Sequence, residues 1–171
     1  MQADELRALQ APLKEQYKSD PSAALVHMSV TGELDPARIV CRLEPSAARE
    51  AGLHPAAGGP AELACSGDLL LESLVACAGV TLCAVATAME IPIASGRVIG
   101  SGDLDFRGTL GVDRETPVGM QNLSVQFEIE TDAEDAKVQK LLQLTERYCV
   151  IYRTLAAANP IASTISVRDR S

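Results

Sequence analysis

Tryptophan is absent from the 171 residues, and three Tyr and two Phe make up an aromatic share of only 3%. Base-stacking platforms for nucleic acid are therefore disfavoured. Basic residues are also in the minority: 15 Lys and Arg against 23 Asp and Glu leave a net charge of −8 and a pI near 4.7. Such a chain repels phosphate backbones and anionic lipid, so neither nucleic acid nor a membrane surface is expected as a partner. Histidine is limited to His27 and His54, and the five cysteines (Cys41, Cys65, Cys77, Cys83 and Cys149) form no Cys-x-x-Cys pair. A zinc site needs closer paired ligands, and an odd cysteine count argues against a disulfide framework, so no metal or structural bridge is expected. The first twenty residues are polar and mixed in charge, without the apolar core of a signal peptide, which points to a cytoplasmic protein.

What the chain does have is one long apolar stretch, Asp68 to Glu90, around which the rest is organised. No charge falls between Glu72 and Glu90, and apolar residues occupy every side of a helical wheel. Such a helix is expected to be wrapped by the rest of the protein. Asp68 places a carboxylate at the positive end of the helix dipole, and Pro92 bounds the far end. A membrane span is disfavoured: the uncharged run Ser73–Met89 is 17 residues, rich in Ala and Thr, with acidic flanks and no nearby Trp, Tyr, Lys or Arg. Cys77 and Cys83 both lie in this helix but point roughly 120° apart, so they cannot pair.

With 47% hydrophobic residues the length suits one domain, residues 21–171, preceded by a helical arm over residues 1–20. In the arm Leu6, Leu9 and Leu13 form one stripe that Pro12 interrupts, which predicts a kinked helix packing on a partner subunit. Leu25–Thr31 and Arg38–Glu44 read as a hairpin turning at Gly32–Pro36, with Cys41 a packing residue beside Ile39 and Leu43. Gly52–Ser66 is a loop that carries His54 and Cys65 to the start of the central helix. Arg97–Arg107 and Gln121–Glu130 are predicted strands, the second alternating Leu123, Val125, Phe127 and Ile129 with polar residues. A capping box of Thr131 and Glu134 opens a predicted amphipathic helix, Asp132–Tyr148; a short helix over Thr154–Ala158 and a closing strand, Thr164–Arg168, follow. This order makes α+β the expected class.

Buried, inert thiols account for most cysteines in such a fold, and redox chemistry is the sharper alternative. Cys77 in the apolar helix and Cys149 between two helical segments, 72 residues apart, are the candidate pair. Burial disfavours a thiolate at Cys77 unless donors or a helix terminus lie nearby, whereas Cys149 at a helix start is expected to meet backbone N–H groups that favour its thiolate.

The segments SGDLLLESLVACAGVTL and RYCVIYRTL, with β-rich regions before and between them, resemble the OsmC and Ohr family of thiol-dependent peroxidases. The likeness runs from about Leu25 to Val167. In that family a P-E-x-L-x-x-x-x-x-x-x-C segment bears the peroxidatic cysteine and a C-P-x-S-x-x-L segment the resolving one, matching Cys77 and Cys149. The resemblance implies antiparallel sheets wrapped around a long central helix, in an intertwined homodimer with its sites at the subunit interface. It also implies reduction of a small-molecule organic hydroperoxide through a Cys77–Cys149 disulfide. No cofactor is bound in such proteins; an external thiol reductant protein, dihydrolipoyl in the better-known members, reopens the bridge. The family's P-E is Ser66-Gly67 here, with Asp68 the nearest carboxylate, and its hairpin-turn arginine is replaced by Thr31-Gly32-Glu33-Leu34, leaving Arg38 and Arg42 as the hairpin's arginines. Val150 stands where the proline follows the second cysteine. Arg153 and His54 are further supporting candidates. The alternative from a different class is a non-catalytic, stress-related binding protein of this fold, with a redox sensor between the two.

Overall fold

The computed structural model describes residues 3–35, 37, 40–44, 51–62 and 64–157, with the side chains of 3–7, 28, 30, 40–44, 51 and 64 excepted. Six strands and five α-helices follow one another along the described chain. They are α1 (Ala3–Ser19), β1 (Leu25–Asp35), β2 (Val40–Glu44), β3 (Ala51–Gly52), β4 (Ala64–Cys65), α2 (Ser66–Ala88), β5 (Ser95–Asp105), α3 (Phe106–Thr109), β6 (Gln121–Glu130), α4 (Asp135–Tyr148) and α5 (Val150–Ala156). Strands β2-β1-β5-β6 form one antiparallel sheet, and β3 and β4 make a two-residue parallel pair. The class is α+β, as expected, with α2 as the central helix.

Helix α2 starts at Ser66 because Cys65 caps it. The Cys65 sulfur accepts the Gly67 N–H at 3.3 Å while Asp68 Oδ2 accepts the Cys65 N–H at 3.2 Å, a reciprocal capping box. At the other end Glu90 N–H bonds Thr87 O and Ile91 N–H bonds Ala86 O, the paired bonds of a Schellman stop. Glu90 takes the left-handed conformation, φ 54°, that glycine usually supplies there. One face of α2 (Leu71, Val75, Ala78 and Leu82) is buried on the sheet. The approach is close at Gly100 of β5, where a Cβ would stand 2.7 Å from Val75 Cγ2.

The expectation of a fully wrapped helix is corrected by this geometry. Although α2 is long and apolar enough to span a membrane, half of its most apolar window is buried, and Ser73, Val80, Ala84 and Thr87 are exposed along its back. Hydropathy reports that a surface is apolar, not whether its own chain covers it.

The hairpin forms with β1 running four residues past Thr31, because residues 31–35 pair with 44–40 rather than turning. Cys41 lies in β2 opposite Leu34, and its side chain, like all of Arg38 and the Thr164–Arg168 segment, falls outside the described residues. The arm is a helix continuous through Pro12 that packs on its own domain. Tyr17 is buried there with Ala24, Ala57, Phe106 and Leu110, and its hydroxyl donates to Ala56 O at 2.6 Å. The predicted Thr131 box is also corrected. Thr131 Oγ1 donates to Pro92 O at 2.6 Å and accepts the Ala133 N–H, so α4 begins three residues later than expected, after an N-cap Glu134 whose side chain makes no capping bond.

Candidate active site

Cys77 lies on the flank of α2 that turns toward α4 and α5, four residues before Thr81. Cys149 is both the last cap of α4 and the first cap of α5, in an extended conformation (φ −70°, ψ 111°) that redirects the chain. Its N–H bonds Thr145 O at 2.9 Å, its carbonyl accepts the Arg153 N–H at 3.0 Å, and its sulfur accepts the Tyr152 N–H at 3.4 Å. The two thiols meet: the Cys149 side chain is within hydrogen-bonding reach of Cys77. Both are free thiols, Cys77 half-buried and Cys149 fully buried.

Their surroundings push the two thiols apart in acidity. Burial works against a thiolate at Cys77, but hydrogen bonds from the Ile151 N–H, the Cys149 thiol, the Val150 N–H and the Thr81 hydroxyl outweigh it, and its pKa lies below the ordinary thiol value. At Cys149 burial and the adjacent Cys77 sulfur raise the pKa, despite backbone hydrogen bonds from Tyr152 and Ile151 that act the other way. The first N–H groups of α5 thus act on both thiols; at Cys149 they favour the thiolate, as the helix start leads one to expect, but burial and the Cys77 sulfur outweigh them, and the thiol whose pKa is lowered is Cys77. Opposed shifts of this kind are what a pair made of an accessible nucleophile and a buried proton-bearing partner would need.

A sequence model of the OsmC-like protein family matches residues 59–164, more than half of the chain. The chain belongs to the OsmC-like family. Its fold is similar to the crystal structure of an OsmC-like hydroperoxide resistance protein from Jannaschia sp. CCS1, with a TM-score of 0.65 and 18% sequence identity over 86% of this chain and 97% of that one. No curated protein matches the chain.

The other residues singled out from the sequence lie elsewhere in this OsmC-like fold. Asp68 closes the cap of α2, nine residues or about 14 Å along the axis from Cys77. His54 Nδ1 accepts the Ala56 N–H at 3.0 Å and its ring stacks on Phe106 at 4.9 Å. With Cys65 it lines a separate cavity of about 340 Å³ at the start of α2, so the pair does share a pocket there, away from Cys77. Arg153 is exposed on α5. Cys83 is buried on another side of α2, its thiol held protonated by burial and by the Asp35 charge.

Sequence reasoning missed Thr81 and the N–H groups of Val150 and Ile151 as the donors around Cys77. Thr81 follows Cys77 by four residues, the spacing of neighbours on a helix face, and that signal was available. The N–H donors were not legible, because α5 starts at Val150 rather than Thr154 and only the packing of α5 on α2 aims them. No group of His, Cys, Asp and Glu suited to a metal ion occurs among the described residues.

Proposed function

We propose that this OsmC-like chain is a cytoplasmic thiol peroxidase for organic hydroperoxides. The Cys77 thiolate attacks the terminal oxygen of the hydroperoxide; the O–O bond breaks, its electron pair leaves on the alkoxide, and a proton completes the alcohol. Cys77 is then a sulfenic acid. The Cys149 sulfur attacks it, the S–O bond breaks, and hydroxide leaves with the Cys149 proton as water, forming the Cys77–Cys149 disulfide. A dithiol reductant, dihydrolipoyl or a thiol reductant protein, gives two electrons and two protons to reopen the bridge. The carrying observation is the contact of the two thiols with opposed acidity, the more acidic one being the more accessible.

The working unit is a homodimer. The uncovered back of α2 (Ser73, Val80, Ala84 and Thr87) is an uncharged face of mostly small residues that a second copy would bury, and Val150 beside the thiols is 67% exposed.

The test is consumption of cumene hydroperoxide with a dithiol reductant by wild type and Cys77→Ser, with mass mapping of the oxidised protein. A Cys77–Cys149 bridge and loss of turnover in the variant are expected; equal rates, or two free thiols after a stoichiometric oxidant, would remove the enzyme. A redox sensor is the second reading, favoured by one observation: among the described residues, every group that stabilises the Cys77 thiolate is a neutral donor, with no cation among them. A sensor forms the same disulfide without steady-state turnover.

A further inference from the structure

The cavity of about 340 Å³ at the start of α2 is lined by neither Cys77 nor Cys149, and the redox reading makes no use of it. Leu53, Leu70, Leu104, Phe106, Val118 and Met120, drawn from five separate stretches of chain, make its walls apolar, and no charged side chain lines it. Leu53 and Val118 remain 44% and 61% exposed although they line it, so this apolar surface is open to solvent. Apolar surface left open in a concave place marks a binding groove. Its walls are tied down from outside. Tyr17 Oη donates to Ala56 O at 2.6 Å, the box of Cys65 and Asp68 fixes the first turn of α2, and the Thr116 hydroxyl donates to Asp113 Oδ2 at 2.7 Å in the loop that carries Val118.

One side chain gives this cavity a directed polar group. His54 Nδ1 accepts the Ala56 N–H at 3.0 Å, which places the proton of the neutral imidazole on Nε2. The ring is held by stacking on the buried Phe106. Among the described residues the Nε2–H has no protein acceptor, so His54 offers one donor on a fixed ring.

We propose that this cavity is a second binding site, separate from the dithiol, for a neutral two-ring molecule that carries a carbonyl acceptor, such as a bicyclic aryl ketone. Volume sets the size: an apolar cavity of about 150 Å³ holds a benzene molecule, so one of about 340 Å³ takes two fused rings with a small substituent. Wall chemistry sets the charge, because a carboxylate would lose water here without gaining a cation. His54 sets the polarity. Apolar sites carry a few placed polar groups that fix the orientation of a ligand, and the Nε2–H is matched by a carbonyl oxygen. A hydrocarbon of the same shape leaves that donor unpaired and binds less well.

The test is an NMR titration of the full, isotope-labelled chain with three probes of similar shape: 2-acetylnaphthalene, 2-isopropylnaphthalene and 2-naphthoate. The ketone should bind about fivefold more tightly than the hydrocarbon, the scale of one neutral hydrogen bond, and the carboxylate more weakly than either. The shifts should centre on the amides of Leu53, Cys65 and Leu70. His54→Phe keeps an apolar ring beside Phe106 and removes the donor, so ketone and hydrocarbon should bind it alike. His54→Asn keeps a side-chain oxygen for the Ala56 N–H, so loss of the preference in this variant as well assigns it to the Nε2–H and not to the turn. Equal affinity of ketone and hydrocarbon for the wild type overturns the proposal. So does a naphthoate that binds as tightly as the ketone, a preference that survives in either variant, or shifts centred elsewhere. None of these outcomes depends on turnover at Cys77, so the site stands or falls apart from the redox reading.

Discussion

Cys65 and Cys149 occupy the same local position, the residue before the first turn of a helix, and each sulfur accepts a backbone N–H two or three residues ahead. Around Cys65 the neighbour is a carboxylate, Asp68, which closes a capping box; around Cys149 it is a second sulfur. About 18 Å of helix axis separates Cys65 from Cys77. One motif therefore serves as a structural cap at the start of α2 and as half of a dithiol beside its middle. What distinguishes them is the tertiary contact: α5 packs on α2 and directs the N–H groups of Val150 and Ile151 onto Cys77. A place at a helix start does not by itself make a reactive thiol.

The comparison breaks most sharply under substitution of Cys77. Cys77→Ser should lower dithiol-dependent peroxide consumption by at least ~10³-fold, the scale for removing an attacking group, while Cys65→Ser retains the wild-type rate. A loss of similar depth in Cys65→Ser, measured by the same assay, would erase the distinction between the two neighbourhoods. Next comes Cys149→Ala, which should consume about one equivalent of peroxide per Cys77 and stop, leaving a sulfenic acid that a selective probe traps. Continued turnover would show that Cys149 is not the resolving thiol.

Acidity sharpens the same contrast. Cys77 has its pKa lowered by hydrogen bonds to its charged form, so its alkylation rate should rise with pH through a midpoint below that of an unstructured cysteine and level off above it. Cys149→Ala removes one of those donors, and the midpoint should move upward. A midpoint that stays put or falls, read by mass-resolved alkylation of Cys77, would mean that the Cys149 thiol does not support the thiolate. The linkage sign follows: a depressed folded-state pKa contributes stability above the unfolded value, and that contribution is lost as pH falls through the folded one.

How much of this was legible in the sequence differs along the chain. The apolar run showed α2 to within two residues at each end, and the alternation of Leu123, Val125, Phe127 and Ile129 set β6 at its observed bounds, because hydrophobic period is a strong local signal. The two sulfurs were identified by motif, but their contact is a tertiary fact. The cap by Cys65 was overlooked although Asp68 stands three residues on, since cysteine is not among the usual capping residues. Thr131 looked like a cap and is instead bonded to Pro92 O across the start of β5, a partner 39 residues away that no local pattern encodes.

A fourth expectation tests whether the packing of α2 is as tight as Gly100 implies. A methyl there would stand 2.7 Å from Val75 Cγ2, well inside the ~3.5–4.0 Å of ordinary carbon contact. Val75 is stiff about χ1 and fully buried, so Gly100→Ala forces helix and strand apart and should cost about 1–3 kcal/mol. A fall in urea midpoint at unchanged slope is the expected result; an unchanged midpoint would mean that the helix relaxes without cost.

The smallest effect isolates the cap of α2 itself. Cys65→Ala deletes the γ atom of a buried side chain, whereas Cys65→Ser keeps a slightly shorter hydroxyl in its place, so the difference between them reports the hydrogen bond from Gly67 N–H together with the packing of that one atom. Serine restores an acceptor and alanine does not, so Cys65→Ser should be the more stable by about 1 kcal/mol, the usual worth of an N-cap oxygen. Peroxide consumption should be the same in both, because the cap lies three turns from Cys77. Equal thermal midpoints would deny the cap its role. Unequal peroxide rates would show that the start of α2 is coupled to its middle, and the two sulfur neighbourhoods would then have to be treated as one.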